Sequence, residues 1–194
     1  MGTSSSGPPT RAYAEPVVDM PVNVVEYDPR WQHSFSAQRD ALTDLLHSWL
    51  AEPVEHVGST AVPRLASKPI VDIVAPVASL VEAELAVPLL EDAGWLLWPA
   101  DPNRSWRLWF LRPQPDARTH HLYLIQHNDP HLRELCAFRD LLRADDGLRT
   151  EYEALKRNLA NEFRDDREAY TDAKAHFIET TLRDNGLEPR PRSQ

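Results

Sequence analysis

His56-Val57-Gly58-Ser59-Thr60-Ala61-Val62-Pro63, followed by Lys68-Pro69-Ile70-Val71-Asp72-Ile73-Val74, is the stretch on which the fold turns. Val54 to Val57 reads as a short strand, Gly58-Ser59-Thr60 as a turn, and Ala61 to Ala66 as a brief helical segment. Ile70 to Ala75 then forms a buried strand, rich in β-branched residues and interrupted only by Asp72. A glycine after a strand lets the backbone approach an anion, and Ser59 with the N–H groups of a helix start can donate to phosphate oxygens. Asp72 sits where an ionised carboxylate is costly unless a cation or donors meet it. Lys68 or a bound Mg²⁺ could supply that cation, and a purely structural Lys68–Asp72 contact would satisfy the same chemistry.

Working outward, Asp28-Pro29-Arg30 opens a first helix, with Asp28 as N-cap and Pro29 at its first position. Trp31, Phe35, Leu42, Leu45, Leu46, Trp49 and Leu50 give it an apolar stripe that ends before Pro53. Ser79 caps a second helix that runs toward Gly94, with a kink or break at Pro88. Trp106 to Arg112 and Thr119 to Gln126 read as an antiparallel hairpin joined by Pro113-Gln114-Pro115-Asp116, with Trp95 to Trp98 as a further edge strand. Amphipathic helices follow over Leu132 to Arg143, Leu148 to Phe163 and Arg167 to Arg183. The expected organisation is a disordered tail at 1–21, an α/β core at 22–128, a helical region at 129–187 packed on that core, and a second tail at 188–194. Met1-Gly2 with Ser6 fits a myristoylation pattern, but no basic patch or second lipid signal accompanies it.

Thirty acidic against twenty-one basic residues leave a net charge of −9, which repels phosphate backbones and argues against nucleic-acid partners. No apolar run approaches a membrane span, so neither a membrane partner nor insertion is expected, and the location implied is cytoplasmic. Cys136 is the single cysteine and reads as a small buried hydrophobe. His127 and His131 have a zinc-like spacing that Asn128-Asp129-Pro130 breaks. Strand alternation puts His121 and Tyr123 on one face and His120 with Leu122 and Leu124 on the other, so His121 is the candidate for a polar site. Arg107 on the preceding strand could clamp a phosphate, or be an ordinary solvated strand arginine. Lys174, on the inward stripe of the last helix, either snorkels or meets an anion. Arg139 and Arg143 could join it, although pairing with Asp140 or Glu134 is the more ordinary expectation.

These motifs, together with Arg118-Thr119-His120-His121-Leu122, Phe138-Arg139-Asp140-Leu141-Leu142-Arg143, Tyr152-Glu153-Ala154-Leu155-Lys156 and Asp166 to Lys174, resemble the GrpB family, also called UPF0157, across most of the chain. The resemblance implies a nucleotidyltransferase-like α+β fold, a mixed sheet flanked by helices with a helical C-terminal region. In that superfamily a Gly-Ser pair precedes a strand whose two alternating acids hold Mg²⁺. Gly58-Ser59 and Asp72 match, whereas Val74 stands at the second acid, and Tyr123 stands where related sequences often have histidine. The site implied has Asp72 and His121 as catalytic residues, with Asp72 also as metal ligand. His56, Gly58, Ser59, Thr60, Lys68, Arg107, Tyr170 and Lys174 would bind substrate. The first functional expectation is a Mg²⁺-dependent enzyme that transfers a group from a nucleoside triphosphate to a small molecule. A catalytically silent module that binds a nucleotide or phosphometabolite is the alternative, since Val74 removes an acid. Pyrophosphotransfer between nucleotides is a second alternative, though it needs a glutamate base that these strands do not offer.

Overall fold

The computed structural model describes residues 21–113 and 117–189. Most of the tails expected at 1–21 and 188–194, the myristoylation pattern and residues 114–116 of the Pro113–Asp116 turn lie outside the described residues. Helix α1 spans Arg30–Leu46 and buries Trp31, Phe35, Leu42 and Leu46 along one stripe. It begins one residue later than the sequence suggests, because Pro29 takes the cap position with helical angles. Asp28 still serves the helix start, its Oδ1 accepting from the Arg30 N–H at 2.9 Å.

The described strands form a five-stranded sheet in the order β1-β2-β5-β4-β3. They are β1 (Glu55–Val57), β2 (Val71–Val77), β3 (Leu96–Leu97), β4 (Arg107–Arg112) and β5 (His120–Gln126). β2 and β5 are parallel, while β1–β2, β3–β4 and the β4–β5 hairpin are antiparallel, so the sheet is mixed. After β1 the helical turn occupies only Ser59–Ala61, shorter and earlier than the expected segment over 61–66. Val62 precedes Pro63 and is driven to extended angles, because a proline disfavours the helical region for the residue before it.

Leu80–Ala83 forms α2, with the Ser79 side chain accepting from Glu82 N–H. A 3₁₀ turn over Glu84–Ala86 separates it from α3, Val87–Asp92. The break expected at Pro88 falls just before it, since a proline is tolerated in a first helical turn and not in a helix interior. The C-terminal region consists of α4 (Pro130–Ala144), α5 (Asp146–Glu162), α6 (Arg167–Ala173) and α7 (Ala175–Asp184). The single helix expected over Arg167 to Arg183 is thus two, divided at Lys174.

Strand alternation gives the sheet two unlike faces. On one, Val71, Ile73 and Ala75 of β2, Leu122 and Leu124 of β5, and Leu108 and Phe110 of β4 join Trp31, Phe35, Leu42 and Leu46 of α1 in the main core. On the other, Val57, Val74 and Ile125 pack on Leu132, Leu135 and Cys136 of α4. That second cluster covers only part of its face. The remainder carries Asp72, Arg107, Trp109, His121 and Tyr123, which line a cavity that α5 and α6 also help to wall.

Candidate anion-binding site

The cavity is about 350 Å³. Gly58, Ser59, Thr60, Lys68, Asp72, Arg107, His121, Tyr170 and Lys174 all line it. The parallel pairing of β2 with β5 sets Asp72 opposite His121. His121 Nδ1 lies 2.9 Å from Asp72 Oδ1, and the Tyr123 hydroxyl donates to the same oxygen at 3.3 Å. Burial pushes the Asp72 carboxyl up, but the hydrogen bond and charge of His121 and the charge of Lys68 hold it below the usual carboxylate range. Burial lowers the pKa of His121 despite the pull of Asp72. A neutral imidazole beside an ionised carboxylate donates through Nδ1. That leaves Nε2, which is buried and has no hydrogen-bond partner among the described residues. Burial and the charge of Asp72 raise the Tyr123 pKa, keeping it a phenol.

Gly58 has φ +69°, and a Cβ there would sit 2.5 Å from Asp72 Oδ2. The turn therefore needs glycine both for its backbone angles and for contact with the carboxylate. Ser59 stands near the Tyr152 phenol, whose pKa burial raises and Ser59 pulls back down. The Thr60 hydroxyl donates to the Ile70 carbonyl at 3.0 Å and pairs with His56 Nε2 at 3.0 Å, so it braces the turn from behind.

His56 lies outside the cavity lining. In the β1–β2 ladder it pairs with Ile73, one residue out of phase with Asp72, and so faces α1, where its ring stacks on Phe35 at 4.7 Å. Burial holds its pKa down at about 4.

Lys68 makes no ion pair with Asp72. Its ammonium lies over the Tyr170 ring, 4.7 Å from the centroid, and that of Lys174 lies 4.2 Å from the same centroid. Among the described residues the Lys68 ammonium has no hydrogen bond and no salt bridge, while the Lys68 carbonyl accepts from Ile70 N–H at 2.8 Å. Burial, with the charges of Arg167 and Lys174, lowers its pKa to about 6. Arg107 is not solvated, but neither is its fork free. It grips Asp101 through Nε and Nη2 at 2.8 and 2.9 Å while packing on Trp106, Trp109 and Tyr123.

Two residues of this arrangement were not singled out from the sequence. Lys156 is buried, donates to the Ala66 carbonyl, and joins the cavity wall. Burial and the charge of Lys174 bring its pKa down to about 7. Its place one turn after Tyr152, on the stripe that continues to Leu159, was the available signal. Asp101 had none, since its pairing with Arg107 depends on the loop before β4. Arg139 and Arg143 do not reach the cavity wall: Arg139 binds Asp140, Glu55 and the His56 carbonyl, while Arg143 binds Asp140 and the Ala61 carbonyl.

A resident metal does not suit these donors. Asp72 is the one carboxylate on the described lining, and its Oδ1 is already engaged. Val74, in phase with it, is fully buried against Val57, Ile125 and Leu132. Among the described residues no three His, Cys, Asp or Glu side chains gather as a metal site. His131 instead pairs with Asp129 and stacks flat on Trp106 at 3.9 Å. No helix among the described residues is long and apolar enough to cross a membrane.

The sequence profile of a family described as GrpB protein matches residues 21–184. A UPF0157 protein of Streptomyces coelicolor is 36% identical over 157 residues, covering 81% of this chain and 80% of that one. Another, of Halalkalibacterium halodurans, is 32% identical over 162 residues, covering 84% and 81%. The crystal structure of conserved protein GrpB from Enterococcus faecalis superposes with a TM-score of 0.76 at 31% identity, over 84% of this chain and 96% of that one.

Proposed function

The chain belongs to the GrpB family, and on that premise we propose that it binds a phosphate-bearing small molecule, a nucleotide in the simplest case, in the cavity beside the Gly58 turn. Lys68 carries this reading. Its amine has no hydrogen bond or ion pair, and burial with the neighbouring cations opposes its charged form; an anionic ligand would restore that charge and pair with it. Lys156 and Lys174 stand on the same wall, and together these lysines would meet the charge of a phosphate or diphosphate. Magnesium, where it takes part, would arrive on the nucleotide's own phosphates, with Asp72 as the single protein carboxylate near it.

Isothermal titration of pyrophosphate and of ATP, each with Mg²⁺ and with EDTA, tests this reading. Saturable binding of both ligands that survives EDTA within about threefold is expected. Absence of binding under every condition would overturn it.

Group transfer, with the nucleotidyltransferase-like resemblance behind it, is the second reading, and the Asp72–His121 pair favours it. A neutral imidazole oriented through Nδ1 by a carboxylate is suited to take a proton at Nε2 from an acceptor hydroxyl. Release of pyrophosphate from ATP in the presence of a small-molecule acceptor would support transfer, and binding without turnover would leave a binding module. Pyrophosphotransfer gains no support, since no glutamate is on the described lining.

A further inference from the structure

A second cavity, of about 240 Å³, adjoins the first, and the two share Gly58, Ser59, Trp106, Leu135 and Tyr152 as common wall. Their chemistry differs. The first is lined by cations, whereas the second reaches between α4 and α7 to Phe138, Leu142, Ile178 and Leu182. The polar groups of the second wall are mostly engaged within the protein. Arg139 is held by Asp140, Glu55 and the His56 carbonyl, and the flat stack of His131 on Trp106 presents ring surface.

We propose that the second cavity holds the organic body of the same ligand whose phosphate head occupies the first, and that this body is apolar or aromatic. The inference rests on the anion-binding reading above and narrows its ligand class to a phosphate ester or diphosphate with such a body. An anion-binding corner beside an apolar chamber is how a protein fixes the orientation of an amphipathic small molecule. The charged end is placed by a few convergent groups and the rest is gripped by non-directional packing. A ligand that spans both would pass along the Gly58–Ser59 turn, which lines each cavity.

Pyrophosphate and a five-carbon alkyl diphosphate, which differ mainly in the apolar tail, make the test by isothermal titration. The wild-type protein binds the alkyl diphosphate at least tenfold more tightly. Ile178→Trp, which fills the second cavity from α7, abolishes that advantage and leaves pyrophosphate affinity within twofold. Should the tryptophan variant fail to fold, Ile178→Ala carries the test through loosened packing, with an expected threefold or greater loss of the tail's advantage. Pyrophosphate binding with no gain from the tail would overturn the second chamber alone, as would a gain that both variants leave untouched. Failure of pyrophosphate and alkyl diphosphate alike to bind the wild type would overturn the anion-binding reading itself.

Discussion

Gly58 and Asp72 act as one unit, because the carboxylate lies where a side chain at the turn would have to go. Alanine at Gly58 would place Cβ 2.5 Å from Asp72 Oδ2 and 3.2 Å from both Cβ and Cγ, at φ +69°. Asp72 cannot easily yield, since His121 and Tyr123 hold its other oxygen. Gly94 provides a comparison: its φ of +85° is equally left-handed, but no atom lies within 4 Å of an added Cβ. Gly94→Ala should therefore cost only the backbone strain, ~1 kcal/mol, and Gly58→Ala about 2–4 kcal/mol, with loss of pyrophosphate binding in that variant alone. Urea denaturation of the two variants measures the difference; equal costs would mean that the turn does not press on Asp72. At this scale the sequence was legible where strand phase could be counted. The same alternation that set His121 on the polar face assigns His56 to the opposite one, through its pairing with Ile73. Within the run from His56 to Pro63 that phase leaves no local mark, because it is set by the pairing of β1 with β2. Arg107 and Asp101 were not legible, because a loop brings them together.

Among the elements, the division of the last helix at Lys174 most alters the site. Tyr170 of α6 packs with Val22, Leu159 and Ala160, whereas Phe177 and Ile178 of α7 pack against the cluster of Val62, Leu65, Leu142 and Tyr152. The two segments thus serve different clusters, and their junction leaves Lys174 beside Tyr170 on the cavity wall. Helical periodicity in the sequence places Tyr170, Lys174, Phe177 and Ile178 on one inward stripe of a single helix, and periodicity does not report the division at Lys174 or which partner each turn will meet. The strands, the hairpin and the capped helices were legible for the opposite reason: their signals are local, in turn residues and caps. Tyr170 links α6 to the lysines in two ways, as a buried side chain and as an aromatic face under two ammoniums. These roles separate by substitution. Tyr170→Phe keeps the packing and the ring face, so stability should change by less than about 1 kcal/mol and pyrophosphate affinity by less than twofold. Tyr170→Ala should cost about 3–5 kcal/mol and weaken pyrophosphate binding at least tenfold. Thermal unfolding and titration of both variants check this, and a large affinity loss in the phenylalanine variant would show that the hydroxyl, not the ring, serves the ligand.

For the whole molecule, a net charge of −9 and an anion-binding cavity are compatible because of range. Surface charges are screened beyond a Debye length of ~8 Å at physiological salt, so the lysines beside the ligand govern its binding while the acidic surface disfavours polymers. Those lysines also tie binding to pH. The Lys68 pKa is lowered from 10.5 to about 6 in the folded protein, and that of Lys156 to about 7. Below pH 6 Lys68 is charged in both folded and unfolded chains, and its burial cost is fully present. Between 6 and 10.5 the unfolded chain holds a proton that the folded one lacks, so its contribution to stability rises with pH, by up to about 1.4 kcal/mol per unit. An anion in the cavity favours the charged lysine and draws the proton back. Binding above pH 7 must therefore take up protons, and affinity must fall as pH rises. ADP is a suitable probe, since its phosphates are fully ionised above about pH 8. Between pH 8 and 9.5 its affinity in EDTA should drop by up to tenfold per unit for each proton taken up, and the heat of binding should vary with the ionisation enthalpy of the buffer. Lys68→Met removes one such proton and weakens binding at pH 7, while stabilising the unliganded protein at that pH by ~1 kcal/mol, because the amine, held deprotonated there against its unfolded value of 10.5, no longer has to be accommodated. Constant ADP affinity across that range, with heats independent of buffer, would show that the lysines are already charged in the empty cavity.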